Sequence, residues 1–512
     1  MKQANGYGTT SPKAIITDAF DVCIIGGGVV GALLARELAR YELRLILLDQ
    51  AEDFPVGASR ANSGVLHAGY DPAPGSLKAR LNAEGLSLYP ALCDELAVDW
   101  RRTGTLVVAG GEADIATLGA LRDRGRANGV RDLELLSGDA ARRLEPNLAP
   151  DAAAALYAPS AGIIDPHGLN YAALENAAQN GVDIRRGVVA TGFARSVPGD
   201  HLTVMTNHGP IAARLAVNAA GLGSGELAAA AGDAIPVRAR RGQYLLLDKA
   251  AGGLVRRPLF PVPGPAGKGI LVLPTIHGNI LAGPTAEDVD EPRLTRTTAG
   301  GHASVIAAAR SLVPAFPSDQ VIATFSGVRA VSGDDFVVAP SASVSGLLHL
   351  AGICSPGLTA APAIARLARD RLADMGLALR ERRDFDPRRP AKPRLADVSA
   401  AERAALVARD PRFGHVICRC ETVSEAEIVA AIHAPVGART VDGVKLRTRA
   451  GMGRCQGGFC GSRVAAVIAR ELGLPIDRVT RHGGGSWLVL ERSAIEEVRG
   501  SLKEANDDNG VV

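Results

Sequence analysis

Four cysteines near the C-terminus carry the clearest chemical signature in the chain. Cys418 and Cys420 form a C-x-C pair; after a gap of 34 residues, Cys455 and Cys460 form a C-x₄-C pair. Four thiols so spaced fit a metal site or a disulfide framework. A [2Fe–2S] cluster needs four thiolates. Structural zinc favours C-x₂₋₄-C pairs, so a C-x-C pair suits it less well. Disulfides conflict with a reducing compartment, and free core thiols conflict with the charged, glycine-rich flanks. Those glycines free backbone N–H groups to point at sulfur, and such donors raise a cluster's potential.

A second signature opens the chain. Gly26, Gly28 and Gly31 match G-x-G-x-x-G. The first glycine permits the tight turn, the second lets backbone amides approach a pyrophosphate, and the third lets helix and strand pack closely. The phosphate charge then meets a helix N-terminus. Asp49, at the end of the next strand, suits a ribose 2′-OH and repels a 2′-phosphate. NAD and FAD both satisfy this pattern.

The elements that position these residues follow from periodicity and turns. Asp21–Ile25 reads as a strand entering the glycine turn, Ala32–Arg40 as a helix and Leu43–Leu48 as a second strand, which makes a βαβ unit. Residues 81–96 and 112–146 read as helical, 101–109 as a strand, and 162–180 as a turn and a helix. Runs at 182–193, 202–206 and 214–218 read as strands. Short β runs alternating with Pro/Gly turns over 237–285 predict an antiparallel sheet. Leu347–Ala351 predicts a strand, followed by a helix from about Ala360 to Met375. Three prolines and several arginines over 384–395 mark a semi-rigid, solvated linker. Helices follow at 424–433, with Thr422 and Glu425 as a capping box, and at 462–472. The end of the chain reads as frayed from about Lys503.

Composition bounds the function. The chain has 512 residues, is 47% hydrophobic and carries a formal charge of +3. That length suggests about three domains. No basic stripe with interleaved aromatics appears, which argues against nucleic acid. No signal peptide or transmembrane span is legible, and Gly346–Leu367 reads as a loop plus a buried helix. Seven cysteines without a secretion signal read as cytoplasmic. Cys23, Cys93 and Cys354 read as small core thiols.

Several stretches resemble the D-amino-acid-oxidase-type FAD family over about residues 20–380. The segment Ser59-Arg60-Ala61-Asn62-Ser63-Gly64-Val65-Leu66-His67-Ala68-Gly69-Tyr70 resembles its flavin-contacting loop. Val217–Gly221 resembles its second FAD strand and Gly242-Gln243-Tyr244 a substrate-domain strand. Ser326-Gly327-Val328-Arg329 and Ser355-Pro356-Gly357-Leu358-Thr359 resemble its C-terminal flavin and substrate segments. Residues 412–472, with the cysteines, resemble the bacterioferritin-associated-ferredoxin-like [2Fe–2S] domain in a C-x₄-C variant.

The resemblance implies an α/β fold. A Rossmann-like FAD-binding domain is interleaved with an antiparallel-sheet substrate domain, and a small helical [2Fe–2S] domain follows. The implied boundaries are 18–383 for the oxidoreductase, with its substrate part about 81–160 and 236–324, then 384–411 for the linker, 412–475 for the cluster domain and 476–512 for an extension. FAD would meet Gly26, Gly28, Gly31, Asp49, Gln50, Ser59, Arg60, Asn62, Ser63, Gly64 and Leu66. It would also meet Val189, Ala190, Ala220, Gly221, Gly352, Pro356, Gly357, Leu358 and Thr359. Cys418, Cys420, Cys455 and Cys460 would hold the cluster.

The pairing of the two domains resembles the catalytic-subunit family of anaerobic glycerol-3-phosphate dehydrogenases. The loops Asn62–Gly69 and Pro74–Ala79 are at least as similar to the L-2-hydroxyglutarate oxidase/dehydrogenase branch. Amine and imino-acid dehydrogenases share the wiring, and a non-catalytic electron-transfer subunit is the reading from another class. The expected reaction takes hydride from a small anionic secondary alcohol, and electrons leave through the cluster to a partner and on to quinone. Membrane attachment would be peripheral, through a partner. His67 is the candidate base, and Arg329 the candidate fork for a substrate anion. Tyr244 and His277 are further pocket candidates. Arg256 and Lys268 read as solvated cations.

Overall fold

The computed structural model of the protein describes residues 19–195, 201–264, 267–291 and 294–489. The expected fraying from Lys503 lies outside them. Strand Phe20–Ile25 is central in an eight-stranded sheet, because Val22, Cys23 and Ile24 are wholly buried. A strand covered on both faces reads as a continuous apolar run. It pairs in parallel with Leu45–Asp49 on one side and Ile211–Asn218 on the other. Leu347–Ala351 and Asp183–Arg186 extend the parallel part. Helices Val29–Leu38, Leu77–Leu96, Pro166–Gln179 and Gly357–Asp374 close one core with this sheet.

A second, nine-stranded sheet is mostly antiparallel. Its two long strands, Arg238–Leu247 and Val321–Val331, pair with Arg240 opposite Arg329 and Tyr244 opposite Phe325. Alternation then puts this set of side chains on one face. A third unit holds helices Glu425–Ile432, Val441–Thr448 and Gly461–Leu472 around Ile428, Val444, Val464 and Ile468.

The structure corrects several expectations. The stretch 112–146 is not all helix: Glu134–Ser137 is a strand, drawn into the second sheet by pairing with Ala154–Ala158. Thr422 does not cap a helix, because its φ of 52° is left-handed, whereas an N-cap is extended. Ser424 and Glu427 form the capping box instead. Helices Ala299–Leu312, Val441–Thr448 and Ala400–Arg409 were not legible. Each lacks a strong apolar stripe or is short, and packing or capping decides it.

The proline- and arginine-rich connection is not simply solvated. Arg389 and Lys392 meet the buried Glu175 at 2.6 and 2.8 Å, and the Asn180 side-chain amide donates to Asp386 O. The third unit is likewise fastened to both sheets' domains. Arg447 pairs with Asp53 at 2.9 Å, both almost fully buried, and stacks over Tyr171 at 3.8 Å. Arg60 meets Asp442 at 2.5 Å. On the second-sheet side, Lys249 meets Glu421 at 3.0 Å, and Arg449 donates to Asn279 at 3.1 Å. Among the described residues no helix is long and apolar enough to cross a membrane.

Candidate functional site

The two sheets enclose one cavity of about 2220 Å³. Ordinary small-ligand pockets reach about 1,000 Å³, so this one has room for an extended dinucleotide with a substrate beside it. At one end, Gly26 turns with φ 114° into helix Val29–Leu38. A Cβ on Gly31 would lie 1.9 Å from the Gly26 carbonyl oxygen, so the helix approaches the strand as closely as backbone permits. Gly28 caps that helix without a side-chain bond, and Ser59 Oγ accepts from Val29 N at 2.9 Å. Asp49 accepts from Gly27 N at 2.6 Å and Ala51 N at 2.8 Å. A carboxylate has about four acceptor sites, so it retains capacity toward the cavity it lines. This end fits a dinucleotide.

Gln50, Arg60, Asn62, Ser63, Gly64, Val189, Ala190, Ala220, Gly221, Pro356, Gly357 and Leu358 also line the cavity. Four expected contacts stand behind its wall. Leu66 is wholly buried in the apolar core, because strand alternation turns it away from the lining residues Val65 and His67. Gly31 and Gly352 serve close backbone packing, the latter against Ser332. Thr359 is fully buried, and its Oγ1 accepts from His67 N at 2.9 Å, fixing the loop that carries the imidazole.

At the other end, His67, Tyr244, His277 and Arg329 come to the same cavity. Burial and the charge of Lys268 hold the His67 imidazole well below its ordinary range. It is therefore a neutral ring, with one nitrogen able to accept a proton. Ser355 Oγ lies 3.4 Å from His67 Nε2 and 3.5 Å from Lys268 Nζ. A base and a cation thus converge on one hydroxyl. Lys268, read as a solvated cation, is partly exposed; its ammonium lies 3.3 Å from Asp71 and lines the cavity. Nothing in its Gly-Lys-Gly context signals this. Burial pushes the Tyr244 phenol up to about 12, so it stays protonated. Arg329 donates to Thr285 O at 3.2 Å, while its Nε has no partner among the described residues. His277 faces Asp165 at 3.4 Å. Cys354, read as a core thiol, is partly exposed on the cavity wall, whereas Cys23 and Cys93 are buried.

The four C-terminal cysteines converge. Cys418 ends a short strand, Cys460 caps helix Gly461–Leu472, and the sulfurs of Cys418 and Cys455 lie 3.8 and 3.9 Å from that of Cys420. The N–H groups of Gly451 and Glu421 are directed at Cys418, and those of Phe459 and Gly457 at Cys455. A Cβ on Gly453 would stand 2.5 Å from the Cys420 sulfur. Four thiols in a cradle of amides and close glycines fit a thiolate-bound cluster. Met452 and Gln456, flanking Cys455, line the large cavity.

A cavity sized for an extended dinucleotide, beside a cradle of four thiols, defines a protein with two redox-cofactor sites. Residues 21–371 match the FAD dependent oxidoreductase family and residues 416–470 the BFD-like [2Fe-2S] binding domain. The chain belongs to that FAD-dependent family, is an enzyme of the oxidoreductase class, and carries FAD and [2Fe–2S] sites. It is 41% identical to a glycerol 3-phosphate dehydrogenase from Caloramator mitchellensis over 92% of this chain and 98% of that protein. A mitochondrial L-2-hydroxyglutarate dehydrogenase from Nematostella vectensis is 29% identical over 70% of this chain and 91% of its own length. Among solved structures, dithionite-reduced L-alpha-glycerophosphate oxidase from Mycoplasma pneumoniae with FAD bound is similar, with a TM-score of 0.70 and 31% identity. That match covers 73% of this chain and all of the oxidase.

Proposed function

We propose that the chain oxidises glycerol 3-phosphate to dihydroxyacetone phosphate and passes the electrons to an acceptor through the cluster. The observation that supports this most directly is the convergence of His67 and Lys268 on Ser355. A neutral imidazole takes the hydroxyl proton as charge develops. Lys268 and the Arg329 fork hold the phosphate, for which a planar guanidinium is suited. Tyr244, kept protonated, donates to the substrate. Bound in this cavity, FAD would supply a hydride acceptor, and a cluster held by Cys418, Cys420, Cys455 and Cys460 would supply one-electron transfer. Met452 and Gln456, in the loop that carries Cys455, line the cavity. The relative that spans both modules is itself named a glycerol 3-phosphate dehydrogenase.

The test is an anaerobic visible titration of the holoenzyme. Glycerol 3-phosphate should bleach the flavin band, and the cluster absorbance should then fall. Bleaching by L-2-hydroxyglutarate alone would overturn the substrate, and bleaching with no subsequent cluster reduction would overturn the route.

A further inference from the structure

The two cysteine loops expose an unusual combination of side chains. Phe459 stands between Cys455 and Cys460 and is 84% exposed; no other exposed large apolar side chain among the described residues exceeds 49%. Arg419 lies between Cys418 and Cys420, Arg454 precedes Cys455, and Arg463 lies in the first turn of the helix that Cys460 caps; all three are exposed. The acid within these loops, Glu421, is buried and bound to Lys249 and Arg449. Arg419 and Arg463 have no ion pair among the described residues, and Arg454 keeps most of its surface despite a 3.3 Å approach to Asp248. Elsewhere on the same unit Arg470 is paired with Glu425 and Glu471, and Arg412 with Asp410, whereas Arg439 and Arg478 are exposed with no ion pair among the described residues. The rim of the thiol cradle thus combines three exposed arginines with one exposed aromatic ring.

We propose that this rim is the docking surface for a small acidic one-electron redox protein. This rests on the reading of the cluster as the electron outlet. Aromatic and Arg side chains dominate binding energy at interfaces, and a cationic rim steers an acidic partner toward productive encounter. A second copy of this chain is disfavoured, because a symmetric contact would set like charges against each other. One oxidised alcohol yields two electrons. Each docking event reduces one acceptor by one electron, so two acceptor molecules are consumed per substrate.

The experiment uses reduced holoenzyme and two haem probes, the acidic soluble domain of cytochrome b5 and the basic cytochrome c. Glycerol 3-phosphate is the reductant. If it fails to bleach the flavin, the enzyme is reduced with dithionite and desalted anaerobically before mixing, so that only the enzyme can reduce the probes and a failed substrate reading does not touch the docking test. Reduction of the acidic probe should accelerate as salt is lowered. The double variant Arg419→Glu, Arg463→Glu should slow it on the order of ten- to a hundred-fold at low salt. Phe459→Ala should slow it several-fold at all salt concentrations. Both variants should keep the cluster's visible spectrum and flavin bleaching. Should the double reversal disturb that spectrum, Arg463→Glu alone decides. Equal rates for acidic and basic probes, or no loss on charge reversal, would overturn the proposal. So would phosphatidylserine-vesicle binding that the reversal abolishes, which assigns the rim to lipid, or a dimer that Phe459→Ala dissociates.

Discussion

His67 makes the sharpest prediction at the scale of single residues. His67→Asn should lower the rate of flavin reduction by about 10²–10⁴-fold while the bound-flavin spectrum persists; an unchanged rate would remove it from catalysis. A base works deprotonated, so kcat/KM should fall as pH drops through its pKa. Burial and Lys268 hold that pKa down, which places the acid limb below the ordinary imidazole value of about 6.5. Lys268→Met removes the repelling charge, so the limb should move to higher pH while KM rises. A stationary limb would separate the two groups. Arg329→Lys keeps charge but loses the fork, and KM should rise more than kcat falls. The glycines and cysteines were legible because their work depends on residue type and short spacing. Lys268 was not, because a lone lysine between glycines looks the same on a surface or in a pocket.

Elements carry the cofactor sites. Gly31→Ala drives a methyl group into the Gly26 carbonyl, and the purified protein should lose FAD while keeping cluster absorbance. Cys455→Ser should do the reverse, removing the cluster but sparing flavin bleaching by substrate. If it also strips FAD, the two sites are not separable. The βαβ unit and strand Leu347–Ala351 were readable, since both are locally consistent apolar runs between turn signals. Strand Glu134–Ser137 was not, because a partner 20 residues on decides its state. The capping box slipped by two residues for want of one backbone angle, that of Thr422.

Across the whole molecule, buried ion pairs hold the modules together. Arg447→Ala removes the nearer cation from the buried Asp53 and leaves Arg186 at 4.0 Å; losing one partner of a buried pair costs at most about 3–5 kcal/mol, read as a lower melting temperature. The connecting segment adds a pH-sensitive clamp. Burial opposes ionisation of Glu175, but Arg389 and Lys392 outweigh it and lower its pKa. A lowered carboxyl pKa contributes stability above the unfolded value, near 4.5, and loses it as pH falls through the folded one. The melting-temperature gap between the protein and Glu175→Gln should therefore hold from pH 7 down to about 4.5 and shrink below it as pH falls through the lowered folded pKa, and a gap that stays constant there would refute the clamp. The sequence by itself determined a dinucleotide site near one end and a four-thiol site near the other, because G-x-G-x-x-G and paired cysteines act through backbone geometry and thiolate number within short segments. Only the tertiary structure decided the rest. It set His67 against Ser355 and Lys268, turned Leu66 into the core, and clamped the thiol unit onto the flavin cavity. Those contacts join residues hundreds of positions apart, and burial and charge pairing across them leave no local pattern to read.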